Sequence, residues 1–186
     1  MSACRLAPIA RTAYDARLRQ LQRHGLAARD DSATGRLCYG IAELAAFATA
    51  TRLMDAFMVP ALAARYVTEK WAEVGAAALA GARDALPIDY ALRRTIVPNH
   101  FLVLGSNALA KMGERHRHDE RYTAALGPVT CVSEKDVVQE LGAVGGGGIV
   151  IDTRTYMAVV VREWRERLNA TDTEVTAELD RLRRPV

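Results

Sequence analysis

Cysteine is scarce in this sequence. The three residues Cys4, Cys38 and Cys131 are odd in number and widely spaced, and no Cys-x-x-Cys pair occurs. This spacing excludes a disulfide framework and the usual zinc-binding cysteine pairs. Because no secretory leader precedes them, we expect free thiols in a reducing compartment and a cytoplasmic protein.

Long apolar runs are also missing. No stretch approaches the roughly 20 apolar residues that a membrane span needs, so we expect no membrane partner. Half of the 186 residues are nevertheless apolar and a quarter are charged, which is typical of a folded globular chain. Aromatic residues make up only 6% of the chain, so alanine, leucine and valine must supply most of the core. Stretches rich in alanine, leucine and arginine favour helix.

A strong net charge is absent as well, since the formal value is +3. That value does not by itself indicate nucleic acid, but the basic residues are unevenly placed. Residues 1–40 hold seven arginines against three acids, whereas the last 25 residues are neutral. Arginine is suited to bidentate contacts with phosphate and guanine. The seven are Arg5, Arg11, Arg17, Arg19, Arg23, Arg29 and Arg36.

The first predicted helix spans residues 11–25. Tyr14, Leu18 and Leu21 recur at helical spacing and predict its buried stripe. Gly25 is placed to end it, because glycine adopts the left-handed backbone that closes a helix. Turn-forming residues follow, and residues 36–39 read as a short strand.

Two further helices are predicted before residue 86. The second begins near residue 41 and keeps a helical rhythm to residue 58. Pro60 breaks it and is suited to the first position of the third helix, which carries Leu62, Tyr66 and Trp71. This helix could run on through the alanine-rich stretch at 76–85, where Gly75 and Gly81 weaken it. Three large apolar residues near the break are expected in the core: Met54, Phe57 and Met58.

The second half predicts a small sheet and closing helices. Strands are expected at residues 100–104, 129–132 and 149–151. A short helix should follow Ser133, and longer ones are expected at 153–168 and after a capping box at Thr171. Met157, Val160, Val161, Trp164 and Leu168 form the predicted stripe of the first long helix. The fold class is therefore α+β, with one domain at residues 1–85 and a second at residues 86–186.

Four features outside the predicted helices are candidate sites. His116 and His118 have a spacing that could ligate a metal, but an exposed charged loop is the favoured interpretation. The glycines at 145–148 lack the Lys-Ser or Lys-Thr of a phosphate loop and predict a turn or connector. Asp152 is expected to cap the following helix, and Cys131 to lie in the core. The sequence thus predicts no metal, no cofactor and no enzyme.

Four segments resemble the MerR family of DNA-binding proteins. Residues 17–26, RLRQLQRHGL, resemble the family's TIRYYEREGLL, and residues 35–39, GRLCY, resemble its GyRlY wing strand. Residues 41–44 are similar to the start of its next helix, and residues 53–62 to the step between its last two helices. The resemblance covers about a third of the chain. The two family tyrosines are replaced by Gln20 and Leu21, and little sequence precedes for a first helix.

The resemblance implies a winged helix-turn-helix at residues 1–85 that binds double-stranded DNA. The arginine-rich helix would enter the major groove, and the wing would contact backbone or minor groove. Such proteins act as homodimers on pseudo-palindromic sites, so a transcriptional regulator at the nucleoid is expected. The expected DNA-binding residues are Arg11, Arg17, Arg19, Gln20, Arg23, Arg36 and Tyr39.

Other functions stay open at this point. The module at residues 86–186 is expected to serve dimerisation, or to bind an effector or a partner protein. A phage-derived or DNA-packaging protein could use the same DNA-binding domain without regulating transcription. The remaining alternatives are a protein-interaction module without DNA binding and a small metal-dependent enzyme centred on His116 and His118.

Overall fold

The computed structural model describes residues 11–26, 29–31, 36–87, 98–105 and 126–184. Its architecture is α+β, as the sequence predicts. The described α-helices are α1 (Arg11–Arg23), α2 (Ile41–Asp55), α3 (Pro60–Glu69), α4 (Trp71–Gly81), α5 (Val137–Ala143), α6 (Arg154–Leu168) and α7 (Asp172–Arg181). Short 3₁₀ turns occur at Arg83–Ala85 and Glu134–Asp136.

The described strands form two separate antiparallel groups. They are β1 (Arg29–Asp31), β2 (Arg36–Cys38), β3 (Phe101–Gly105), β4 (Val129–Val132) and β5 (Gly148–Asp152). β1 and β2 form a hairpin, with Asp31 opposite Arg36. The other three form a sheet in the order β4-β3-β5, in which Leu102 lies opposite both Cys131 and Ile151.

α1 forms because its apolar residues share one face. Tyr14, Leu18 and Leu21 are buried there, as their spacing predicts. The helix closes at Gly25, whose φ is +95°. The amide of Leu26 then donates to the carbonyl of Leu21 at 3.1 Å, which is the hydrogen bond of a Schellman ending. The predicted end of this helix is therefore confirmed.

α2 is the central helix of the molecule. All residues from 41 to 50 are buried, and the helix packs against α3, α4, α6 and α7. Small residues such as Ala45, Ala46 and Ala50 let these neighbours approach closely. A helix that is apolar on nearly every side belongs inside a core.

The turn after α2 corrects one prediction. The helix ends at Asp55, before the expected residue 58, and Phe57 is 98% exposed although it was predicted in the core. Phe57 takes the left-handed position of the turn, with φ +66°, and the amide of Met58 donates to the carbonyl of Leu53 at 3.1 Å. The reversal sends Phe57 outward and Met58 inward, so the helical spacing assumed for both does not apply.

The third helix does not continue through Trp71 to residue 85 as one helix. Pro60 does open α3, but the chain bends at Lys70, where φ is −109° and ψ is 28°. The amide of Lys70 still donates to the carbonyl of Tyr66, and its own carbonyl accepts the amide of Val74, both at 3.0 Å. One residue therefore ends α3 and begins α4, so that both helices turn an apolar face to the core.

The closing helices follow their predicted caps. Asp152 Oδ1 accepts the amide of Arg154 at 3.0 Å at the start of α6. Thr171 accepts the amide of Glu174 at 3.3 Å, and Glu174 Oε2 accepts the amide of Thr171 at 2.7 Å, which confirms the capping box. Leu168 was predicted on the buried stripe of α6 but is 61% exposed, because α6 continues past the edge of the core.

One buried cluster holds the described parts of the chain together. It contains Leu21 and Phe47 from the first half and Leu102, Val160 and Leu179 from the second. α6 packs on α2 and α4, and α7 packs on α2. The domain boundary at residues 85–86 stays a prediction. Among the described residues, the two sides of this boundary share one hydrophobic core.

Several predicted features fall outside the described residues. They are the segment before residue 11 and the charged segment with His116 and His118. Within the described parts, no helix is both long and apolar enough to cross a bilayer.

Candidate DNA-binding face

The outward face of α1 carries three of the predicted site residues. Arg19, Gln20 and Arg23 are all exposed, and Ala16 completes a stripe at i, i+3, i+4 and i+7. This stripe lies opposite the buried one. We call Ala16, Arg19, Gln20 and Arg23 the α1 face.

The two arginines of the α1 face form no ion pair with any residue that the structure describes. Arg19 and Arg23 lie one helical turn apart, and like charges at this spacing destabilise a helix by about 0.2–0.5 kcal/mol. Each head group is exposed, so its hydrogen-bond donors are available to an external anion. The arrangement concentrates positive charge on a rigid surface.

Arg17 has a different role from its two neighbours. Its NH1 atom lies 2.6 Å from Asp55 Oδ1, and both side chains are about a third exposed. Arg52 approaches the other oxygen of the same carboxylate at 3.9 Å. Arg17 therefore anchors one flank of α1 to the end of α2.

Tyr39 anchors the opposite flank. Gln22 Nε2 donates to the Tyr39 hydroxyl at 2.7 Å, and the Tyr39 ring meets Phe47 edge to face with centroids 5.7 Å apart. Trp164 Nε1 donates to the Tyr39 carbonyl at 3.1 Å. Burial raises the pKa of Tyr39 above 10.0, and the hydrogen bond from Gln22 offsets part of this rise. The side chain is neutral at physiological pH and packs, partly buried, against the core.

The other two predicted residues are placed by their backbone. Arg11 is the first residue of α1, and Arg36 is the first residue of β2. Their side chains lie outside the described parts of the structure. Arg36 stands in the hairpin that follows α1, on the strand whose last residue, Cys38, directly precedes Tyr39.

Sequence reasoning missed the residues that hold this region from a distance. Glu178 Oε2 accepts the amide of Ile41 at 3.0 Å, across 137 residues of sequence. Glu43 Oε2 accepts the amide of Gly40 at 2.8 Å. Glu43 follows Gly40 by the three residues of a capping box, so this contact had a local signal. Glu178 and Trp164 had none, because their partners are remote.

Metal ligands and thiols are the other groups of this fold that could carry chemistry. No group of three His, Cys, Asp or Glu side chains able to hold a metal occurs in the described ranges. Burial raises the pKa of the Cys131 thiol to about 11, with a smaller contribution from the charge of Glu73, and its Sγ donates to the carbonyl of Asn99 at 2.7 Å. This thiol is therefore a poor nucleophile near neutral pH.

An open cavity of about 750 Å³ lies beside α6. Its lining includes Leu86 and Val161, with Arg162 and Arg165 at its polar side. The volume is within the range of small-molecule sites. The lining joins Asp84 and Leu86 to residues of α6, so the cavity spans the predicted division at residues 85–86.

The comparisons with known proteins add no relative. Neither a family model, nor a curated protein, nor a solved structure matches this chain. The resemblance to MerR proteins therefore rests on its own segments and on the order helix, hairpin, helix, helix.

Proposed function

We propose that the protein binds double-stranded DNA through the α1 face and acts as a dimeric transcriptional regulator. One observation carries the proposal: Arg19 and Arg23 are exposed on a rigid helix without acidic partners in the described structure. The hairpin of β1 and β2 follows this helix directly, in the place of a wing.

The physical argument begins with phosphate binding. An exposed arginine gains from DNA contact because each neutralised phosphate releases condensed counterions. An α-helix fits the major groove, where long side chains reach base edges. Arg19 and Arg23 would contact guanine or phosphate, and Gln20 can pair with adenine through its amide.

The anchoring of α1 also supports the proposal. Arg17 holds one flank to Asp55, and Gln22 holds the other to Tyr39. A recognition helix must be fixed if its side chains are to meet a particular base. Arg17 and Tyr39 are thus assigned to positioning, while Arg19, Gln20 and Arg23 are assigned to contact. Arg11 and Arg36 remain proposed phosphate contacts.

A selection from a random duplex pool tests this function. Purified protein should enrich an inverted repeat whose half-sites lie about one helical turn, 10 base pairs, or a multiple of it apart. Its mass in solution should be twice the 20.3 kDa of one chain. Uniform binding with no enriched sequence would contradict sequence-specific regulation, and a larger ring would favour the packaging alternative.

A further inference from the structure

The short segment that joins β2 to the first residue of α2 forms hydrogen bonds with three other parts of the chain. We call Tyr39, Gly40 and Ile41 the junction. Trp164 of α6 donates to the Tyr39 carbonyl at 3.1 Å. The amide of Ile41 donates to Glu178 of α7 at 3.0 Å, and Gln22 of α1 donates to the Tyr39 hydroxyl at 2.7 Å.

The junction is tightly enclosed. Gly40 is buried, and a Cβ atom at this position would clash with the carboxylates of Glu43 and Glu178. Glu43 and Glu178 are themselves buried and accept the first amides at the start of α2, where the helix dipole favours negative charge. Arg181 of α7 lies 3.5 Å from Glu43. The segment therefore has little freedom to shift unless α6 or α7 shifts with it.

We propose that Tyr39 and Trp164 are positioning residues for DNA binding, through which α6 and α7 fix α1 and the hairpin. The proposal rests on the proposed function, because it concerns the same DNA-binding face. It assigns Tyr39 an inward role in place of the DNA contact that its wing position implied. It also makes α6 and α7 the place from which DNA binding is controlled.

Two hydrogen bonds connect α6 to α1 through Tyr39. Trp164 Nε1 reaches the backbone of Tyr39, and the side chain of Tyr39 reaches Gln22, which flanks the α1 face. A shift of α6 that breaks the bond from Trp164 releases Tyr39, which is the residue that holds Gln22 of α1. Linkage then requires the converse, so that DNA on α1 must change the environment of the Trp164 indole.

Conservative variants test the proposal in DNA binding. Trp164→Phe removes the indole donor, and Tyr39→Phe removes only the hydroxyl. Each should weaken binding to the selected duplex about fivefold, the effect of a typical hydrogen bond. The dependence of log Kd on log salt should keep its slope, because no phosphate contact is lost.

Trp71→Phe is the matched control. Trp71 of α4 is buried, whereas Trp164 is partly buried, and the Trp71 Nε1 finds no hydrogen-bond partner among the described residues. This variant should bind DNA like wild type at temperatures well below its Tm. Tyr39→Phe keeps the test valid should Trp164→Phe fold poorly.

Hydrogen exchange on the free protein separates this proposal from the proposed function. Amides of α1 and β2 should exchange faster in Trp164→Phe than in wild type or Trp71→Phe. On adding DNA to wild type, the indole NMR signal of Trp164 should shift and that of Trp71 should not. Wild-type DNA affinity and wild-type exchange rates in both Trp164→Phe and Tyr39→Phe would overturn the positioning role. Failure of wild type to bind any duplex would remove the proposed function, while exchange would still decide whether Trp164 holds α1.

Discussion

α1 and α6 have similar compositions but opposite electrostatic arrangements. Both are amphipathic and rich in arginine. Three of the four arginines of α6 face acids: Arg154 lies 3.3 Å from Asp152, Arg165 lies 2.5 Å from Asp172, and Arg167 lies 3.1 Å from Glu163. On α1, Arg19 and Arg23 form no ion pair among the described residues, although Asp15 lies one turn before Arg19. The number of arginines does not distinguish a candidate anion-binding helix from a solvated one. The difference is whether the arginines form ion pairs with acidic side chains.

The strongest test of this comparison converts α1 into a helix like α6. Ala16→Glu together with Gln20→Glu places acids one turn from Arg19 and Arg23. We expect DNA affinity to fall at least a hundredfold, because the new carboxylates pair with the arginines and repel phosphate. Stability should change by less than about 1 kcal/mol, since such pairs contribute only about 0.2–0.5 kcal/mol each.

Fluorescence anisotropy and thermal unfolding give both quantities for this double variant. Ala16→Gln with Gln20 unchanged is the control for side-chain size. If the double glutamate variant keeps wild-type affinity, the α1 face does not contact DNA.

Alkaline pH tests whether α1 and α6 depend on one core. Burial raises the pKa of Cys131 from 9.0 to about 11, and it also raises the pKa values of Tyr39 and Tyr66. Because burial keeps these groups protonated in the folded chain, the folded state has its full stability below their unfolded pKa values. That stability is lost as the pH rises through their folded pKa values. We expect the free energy of unfolding to fall by about 2 kcal/mol between pH 9 and 11.

Urea unfolding at several pH values measures this loss, and Cys131→Ala should reduce it. Tryptophan fluorescence, which includes Trp164 on α6, should follow the same transition as far-UV circular dichroism. Two separate transitions would show that the helices do not share a core.

The ends of the two helices give the smallest expected effects. α1 closes on Gly25 with φ +95°, and α6 closes on Asn169 with φ +51°. Gly25→Ala should cost about 1 kcal/mol although no atom lies within 4 Å of the added Cβ, because the strain is in the backbone. Asn169→Gly should stabilise by a few tenths of a kcal/mol. Thermal unfolding measures both, and a neutral Gly25→Ala would show that the left-handed end of α1 is not maintained.

Local patterns explain how much of the fold was predictable. The stripe of Tyr14, Leu18 and Leu21, the glycine end of α1 and the capping box at Thr171 all depend on residues within one or two turns. The three strands of the sheet were also predicted, because short β-branched runs bounded by turn residues carry a local signal. The arginines of the α1 face were identified from composition, but their lack of acidic partners required the structure.

The remaining features depend on contacts between distant residues. The bend at Lys70 arises because α3 and α4 must both face the α2 core, and Phe57 is exposed because the chain reverses beside it. Trp164 and Glu178 reach the junction across 125 and 137 residues, and no spacing in the sequence signals such contacts. The sequence therefore predicts a DNA contact for Tyr39 and carries no signal for its hydrogen bonds with Gln22 and Trp164.

The salt dependence of DNA binding tests the central claim most directly. Anisotropy titrations of the selected duplex at several salt concentrations should compare wild type with Arg19→Ala/Arg23→Ala and with Arg165→Ala/Arg167→Ala, which loses the same charge from α6. The account predicts that the α1 variant loses about 0.9 of the slope per phosphate contact removed, while the α6 variant binds like wild type. Equal slopes and equal affinities for all three proteins would contradict it.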